Sequence, residues 1–313
     1  MSAAMNDFAQ RLEPVGRILQ LPDWHVWGSS AIDGPDGKVH LFTSRWPTES
    51  GFRGWSTHSE IMHSVADSAE GPFEVVDVPL RGRGGRHWDA AMVHNPTIHE
   101  FDGRYYLFHI GNLDGRPFTQ QIGAAVSDDL YGPWMRLDEP LLGPGMYRAW
   151  DWLMATNPAI VRHPNGQFWL YYKSWDLKDL KRKMGLAISD HVLGPYEKHP
   201  ENPIVDYSPE GKQVEDAYVW VQDGLFYMLM ADDNEGVVRK HGGALITSED
   251  GIHWSEPVLG YETTDVYFPG EPVRRFERPQ VLIRDGRPAY LYLAMQSDAN
   301  ASSAVLRVSD RAI

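Results

Sequence analysis

The stretch NPTIHEFDGRYYLFHI, Asn95 to Ile110, joins two apolar runs through an Asp-Gly turn, and AAVSDDLYGPW, Ala124 to Trp134, follows it. Asp-Gly or Asn-Gly between β-rich runs is the strongest local hairpin signal, because the tight turn needs residues that accept positive φ. The second segment reads as a third strand, a turn and a fourth strand. The pattern returns around Asp36-Gly37, Asn165-Gly166, Asp223-Gly224 and Asp285-Gly286, with glycines 66, 63, 58 and 62 residues apart. The tails return as SVADSAEGPF ending at Phe73, LAISDHVLGPY at Tyr196 and the looser LITSEDGIHW at Trp254. Five antiparallel units of about sixty residues, repeated radially, predict an all-β fold, a five-bladed β-propeller.

The fifth unit has its third strand, SAVLRVSD from Ser303 to Asp310, and the chain stops at Ile313 before a fourth. An uncovered edge invites mispairing, so another segment is needed there. Pro14 to Leu21 (PVGRILQL) has strand character and is expected to close the last blade; a frayed N-terminal arm is the alternative. Residues 1–21 are thus an arm with a ring-closing strand, and 22–313 form one propeller without an internal linker.

The 313 residues are 42% hydrophobic and 12% aromatic, which excludes a disordered chain. A formal charge of −14 argues against nucleic acid and an anionic membrane as partners and fits a neutral ligand better. With no cysteine there is no disulfide, thiolate metal site or Cys nucleophile. Met1 to Glu13 lacks the basic and apolar regions of a leader, and no window approaches 18 apolar residues, so a soluble cytoplasmic protein is expected. The oligomeric state is not legible.

Successive strands are antiparallel, so inner-strand starts share one face and the Asp-Gly turns share the other. The first face varies between units: Trp27-Gly28-Ser29-Ser30, His94-Asn95-Pro96, Thr156-Asn157-Pro158, Glu215-Asp216 and Glu277-Arg278-Pro279. Variation on a repeated scaffold marks where binding is expected. Two approaches to that face match, Trp88-Asp89 and Trp150-Asp151, each with its Asp six residues before Asn95 or Asn157. Either these Asp residues hold turns, or they converge as carboxylates for acid and base work. Trp27, Trp46, Trp55, Trp88, Trp150, Trp175 and Trp220 offer rings for sugar stacking, two or three of them as platforms and the rest as blade packing. Arg45 and Arg278 are candidates for a carboxylate or hydroxyl-rich ligand, or for local salt bridges. No HExxH or HxH zinc spacing occurs, no cofactor is called for, and a calcium or sodium ion in the channel is left open.

The motifs NPTI-x4-DGRYYLF, NPAI-x5-NGQFWLYY, EDAYV-x4-DGLFYML and the SDxxxGPW tails resemble the five-bladed propeller glycoside hydrolases, family 43 with relatives in families 32, 62 and 117, over about residues 22 to 310. The resemblance implies that Glu215 is the general acid; partial burial beside other acids is expected to raise its pKa. It places Asn157 where the family usually has an Asp that orients the acid, and Gly28-Ser29 where the family has its catalytic base. Asp151, slightly preferred, Asp89 and Glu60 are the substitutes for that base. His241 is a second candidate acid, since a His has that role in family 117. His94, Asn95, Asn157, Asp216, Glu277, Arg278, Trp27, Ser29 and Glu60 are expected to contact substrate.

The function expected is an exo-acting, inverting glycoside hydrolase on oligosaccharides. The alternatives are a phosphorylase or lyase on a related sugar, and a non-catalytic carbohydrate-binding propeller. A phosphorylase would need a basic cluster, for which Arg45, Lys183, Lys240, His241 and Arg278 are candidates.

Overall fold

The computed structural model describes residues 7–116, 118–232, 235–297 and 300–309. Its sheets are five, each of four antiparallel strands. The inner strands are Trp24–Asp33, Met92–Phe101, Thr156–Arg162, Val214–Gln222 and Val273–Arg284. Each runs into a hairpin at the expected turn, and both turn residues have positive φ at Asp102-Gly103, Asp223-Gly224 and Asp285-Gly286. Blades 1 and 3 use longer loops, closed by Gly34 N–H to Lys38 O and His163 N–H to Gln167 O.

The ring closes as the sequence predicts. Leu12–Ile18 pairs antiparallel with Ala301–Val308, from Leu12 opposite Val308 to Ile18 opposite Ser303, and becomes the outer strand of blade 5. It begins two residues earlier and ends three earlier than expected, and Asp310 lies outside the described residues. Phe8 and Leu12 extend the closure by packing into the apolar cluster between blades 4 and 5.

Second strands such as Phe168–Asp176 open with continuous apolar runs, here Phe168 to Tyr172, because both sheet faces are covered by neighbouring blades. Tyr171 of blade 3 donates to Gly251 O of blade 4, and Tyr292 of blade 5 to Ala69 O of blade 1, so rings that fill the interface also satisfy a tail carbonyl. Trp220, a candidate sugar platform, belongs to this packing: it lies parallel to Tyr227 at 5.0 Å and against Phe8 at 5.9 Å.

One local feature positions the site. Every inner strand slips register at the same place, between Trp27 and Ser30, His94 and Thr97, Thr156 and Ala159, Glu215 and Tyr218, and Glu277 and Gln280. The bulge holds Gly28, Asn95, Asn157, Asp216 and Arg278 at φ between 52° and 63°. A bulge re-aims side chains at the end of a strand, and Gly, Asn and Asp are the residues that tolerate this conformation best.

Candidate active site

The bulges open into a cavity of about 400 Å³ at the start of the inner strands. Its walls are aromatic: Trp27, Trp46, Phe52, Trp55, Phe118 and Trp175. Phe52 and Trp55 come from an insertion between the second and third strands of blade 1, and Trp175 from the end of the second strand of blade 3. The floor is polar. Asn95 Nδ2 donates to Asn157 Oδ1 at 2.9 Å, and Asn157 Nδ2 donates to Asp216 Oδ1, so three neighbouring bulges form one hydrogen-bonded chain.

Glu215 and Asp216 meet around one ammonium. Lys173 Nζ is 2.6 Å from Glu215 Oε2 and 3.7 Å from Asp216 Oδ1, and Arg182 reaches Glu215 Oε1 at 3.0 Å. Burial pushes Glu215 toward protonation, but Arg182, Lys173 and Arg275 outweigh it and hold the carboxyl below its ordinary range. For Asp216 burial dominates, the Glu215 charge adds to it, and its pKa is raised. The pKa values of two adjacent carboxyls are thus shifted in opposite directions. His94 is kept neutral, its pKa lowered to about 3 by burial with Arg278 and Lys173 nearby; Nδ1 lies 2.8 Å from Ser59 Oγ. Glu277 lines the same wall, with Arg275 Nη1 3.2 Å from its Oε1.

The cavity gathers Glu215, Asp216, Glu277, His94, Asn95, Asn157 and Trp27 from the sequence expectations. It corrects others. Glu215 carries a lowered pKa, because Lys173 and Arg182 were not foreseen as partners. Asp89 and Asp151 do not line the cavity. Asp89 is fully buried between Arg83 Nε at 2.7 Å and Arg136 Nη1 at 2.9 Å, and Asp151 between Tyr172 OH at 2.7 Å and Lys198 Nζ at 2.6 Å. The Trp-Asp motif is a repeated packing device. The rings of Trp88 and Trp150 fill the space over Gly123 and Gly185 in the third strand, where a Cβ would lie 2.3 and 2.7 Å from them, and each Asp binds a cation of the fourth strand.

Glu60 is likewise outside the cavity, paired with Arg45 at 2.8 Å and Arg81 at 2.7 Å, which also accounts for Arg45. Ser29 is buried against Ser303 and Thr43. Lys183 is held by Asp176, Asp179 and Asp206, and Lys240 does not line the cavity. His241 is exposed on a loop and shares with Glu215 and Glu277 a separate crevice of about 10 Å³. Arg278 is fully buried below the floor, donating Nη2 to Asn95 O at 3.2 Å. A Cβ on Gly28 would stand 3.0 Å from Arg278 Cγ, so Arg278 occupies the space a first-blade carboxylate would need. That fixed positive charge does not fit a channel calcium or sodium ion. Among the described residues no group of three His, Asp or Glu has metal-holding geometry.

Lys173, Arg182, Arg275, Arg53 and Gln120 line the cavity without having been expected there. Lys173 carried a legible signal: it interrupts the apolar run FWLYYKS, and a charge in a strand buried on both faces needs a partner.

No protein-family model matches the chain. It is similar to an extracellular endo-α-(1→5)-L-arabinanase of Thermotoga petrophila, 27% identical over 130 residues, which is 35% of this chain and 27% of that protein. A second such arabinanase, from Bacillus subtilis, is 25% identical over 115 residues, 33% of this chain and 22% of that one. The matches span only about a quarter of either arabinanase. Among solved structures, a family 117 glycoside hydrolase of the marine bacterium Zobellia galactanivorans superposes with a TM-score of 0.71 at 16% identity, covering 91% of this chain and 85% of that chain. A family 43 β-xylosidase/α-arabinofuranosidase from a compost metagenome, in complex with xylotriose, gives 0.66 at 15%, covering 96% and 95%. The resemblance to five-bladed propeller glycoside hydrolases therefore holds at the level of the fold.

Proposed function

We propose that the protein hydrolyses glycosidic bonds of an oligosaccharide, with Glu215 and Asp216 as its acid–base pair. The observation that carries the reading is two adjacent carboxyls that share Lys173 inside an aromatic-walled cavity, with their pKa values shifted in opposite directions. Environments that push neighbouring pKa values apart assign the base to the ionised group and the acid to the neutral one. Glu215 accepts a proton from water and Asp216 gives one to the leaving oxygen, which reverses the role expected for Glu215. Trp55 and Trp175 offer ring faces to the apolar side of a sugar. The blade 1 insertion walls one side, which favours a chain end and hence exo-action. Lys173 bounds Glu215 Oε2 and Asp216 Oδ1 to within 6.3 Å of each other. A base that takes its proton from water corresponds to inversion, whose carboxyls lie roughly 6.5–9.5 Å apart, and this bound falls just short of that range, so the anomer released decides the outcome.

Glu215→Gln and Asp216→Asn should each lower turnover about 10²-fold or more in assays of reducing-sugar release. The wild-type rate should rise as Glu215 ionises below its ordinary value and fall as Asp216 ionises above its own. Near wild-type turnover in both variants would overturn the assignment. A second reading, sugar binding without turnover, draws on the double clamp that Lys173 and Arg182 place on Glu215. Binding of oligosaccharides with no product released would favour it.

A further inference from the structure

The cavity is far more basic than the chain that encloses it. Arg53, Lys173, Arg182 and Arg275 line it in a protein of formal charge −14. Lys173 and Arg182 are engaged by Glu215, which leaves two arginines to account for. Both sit at Phe52. Arg53 follows it in the short turn Phe52–Gly54, is exposed, and has no carboxylate partner among the described residues. Arg275 enters from blade 5 with its guanidinium 5.6 Å from the Phe52 ring centre. Its Nη1 alone meets Glu277, at 3.2 and 3.4 Å, and its side chain is 47% exposed. Nε and Nη2 of Arg275 have no partner among the described residues.

We infer that Arg53 and Arg275 select a carboxylate-bearing sugar, a uronic acid, at the blade 1 and blade 5 side of the cavity. This rests on the reading of the cavity as a glycan site. A guanidinium binds a carboxylate through two parallel N–H groups, a geometry that an ammonium cannot offer, and Arg275 lies against the Phe52 ring with Nε and Nη2 left for such a pair. The hydroxyls of a neutral sugar accept hydrogen bonds but bring no charge to pair with these two guanidiniums. The net charge of the chain does not oppose this, since surface charges are screened over about 8 Å at physiological salt while contacts inside the cavity are not. It does oppose a long polyanion, so the ligand is a short oligosaccharide or the single acidic end of one.

The test is calorimetric titration of the full chain with digalacturonic acid and a glucuronosyl-xylose disaccharide, each against its methyl ester, with xylotriose and inorganic phosphate as further arms. The free acid of at least one disaccharide should bind about 10-fold or more tighter than its ester, the scale of a charge-assisted hydrogen bond. Arg53→Gln and Arg275→Gln, checked for unchanged thermal unfolding, should each weaken binding of the acid far more than binding of its ester, and so reduce that preference. Equal affinity for acids and esters, or no binding of either disaccharide, overturns the inference. Phosphate that competes with the acid at equal affinity also overturns it and assigns the arginines to a phosphate co-substrate. Hydrolysis is measured separately: acid-selective binding without any turnover sinks the hydrolase reading alone, and turnover of neutral sugars without acid preference sinks this inference alone.

Discussion

Replacing Lys173 by Met tests the electrostatic account of the site most directly. The two side chains have similar length, so the change removes an ammonium with little change in packing. Lys173 Nζ is 2.6 Å from Glu215 Oε2 and 3.7 Å from Asp216 Oδ1, and all three side chains are at least nine-tenths buried. Breaking one partner out of a buried ion pair costs about 3–5 kcal/mol, because the remaining charge is left uncompensated. Arg182 remains 3.0 Å from Glu215 Oε1, which places the expected loss near the lower end, about 3 kcal/mol at pH 7. The loss should depend on pH. The pKa of Glu215 is lowered in the folded state, so its pairing stabilises above the unfolded pKa of about 4.3 and is lost only as pH falls through the lower folded value. In the variant Glu215 titrates higher and sheds its charge on acidification, so the difference from wild type narrows below about pH 4. Urea unfolding followed by the fluorescence of the 12 Trp residues, at pH 7 and at about pH 3, measures both quantities. A loss below about 1 kcal/mol at pH 7, typical of a surface pair, would refute the picture of Lys173 as the buried counter-ion of Glu215.

Three further outcomes follow from the packing. Asp89→Asn removes the charge that faces Arg83 and Arg136 and should cost about 3 kcal/mol in chemical denaturation while leaving kcat intact; a large fall in kcat would return Asp89 to the catalytic machinery. Gly123→Ala places a Cβ 2.3 Å from Trp88 Cζ2 and should destabilise by about 3 kcal/mol through overpacking, whereas Gly37→Ala meets nothing within 4 Å and carries only the strain of φ 79°. Deleting residues 1–18 strips the outer strand from blade 5 and bares the edge of Ala301–Val308, so size-exclusion chromatography should show association in place of the full-length profile.

The repeat was readable because each of its signals is local. Asp102-Gly103 needs nothing beyond its two flanking runs to specify a hairpin, and five such hairpins at similar spacing leave few architectures other than a propeller. The ring-closing strand followed from counting: a unit lacking its fourth strand needs another segment, and Leu12–Ile18 supplies it. Asn95, Asn157 and Asp216, which line the cavity, were legible as residues of its face because position in the repeat fixes the end at which an inner strand begins.

Protonation and side-chain direction were not legible, because they depend on partners far away in the chain. Lys173 and Arg182 reach Glu215 from the second and third strands of the neighbouring blade, and together they reverse the shift that burial alone would impose. Asp89 and Asp151 have the spacing of channel residues, yet Arg136 and Lys198 of their own fourth strands draw them away from the cavity. Arg278 fills the space beside Gly28 from the opposite end of the chain and still reaches Asn95, 183 residues before it. The sequence by itself determined the number of blades, their order and the face that carries the site, since hairpin turns and apolar runs act over a few residues. Only the tertiary structure decided which charges share the cavity, because a buried carboxyl takes its protonation state from whichever cations the closed ring brings within about 4 Å.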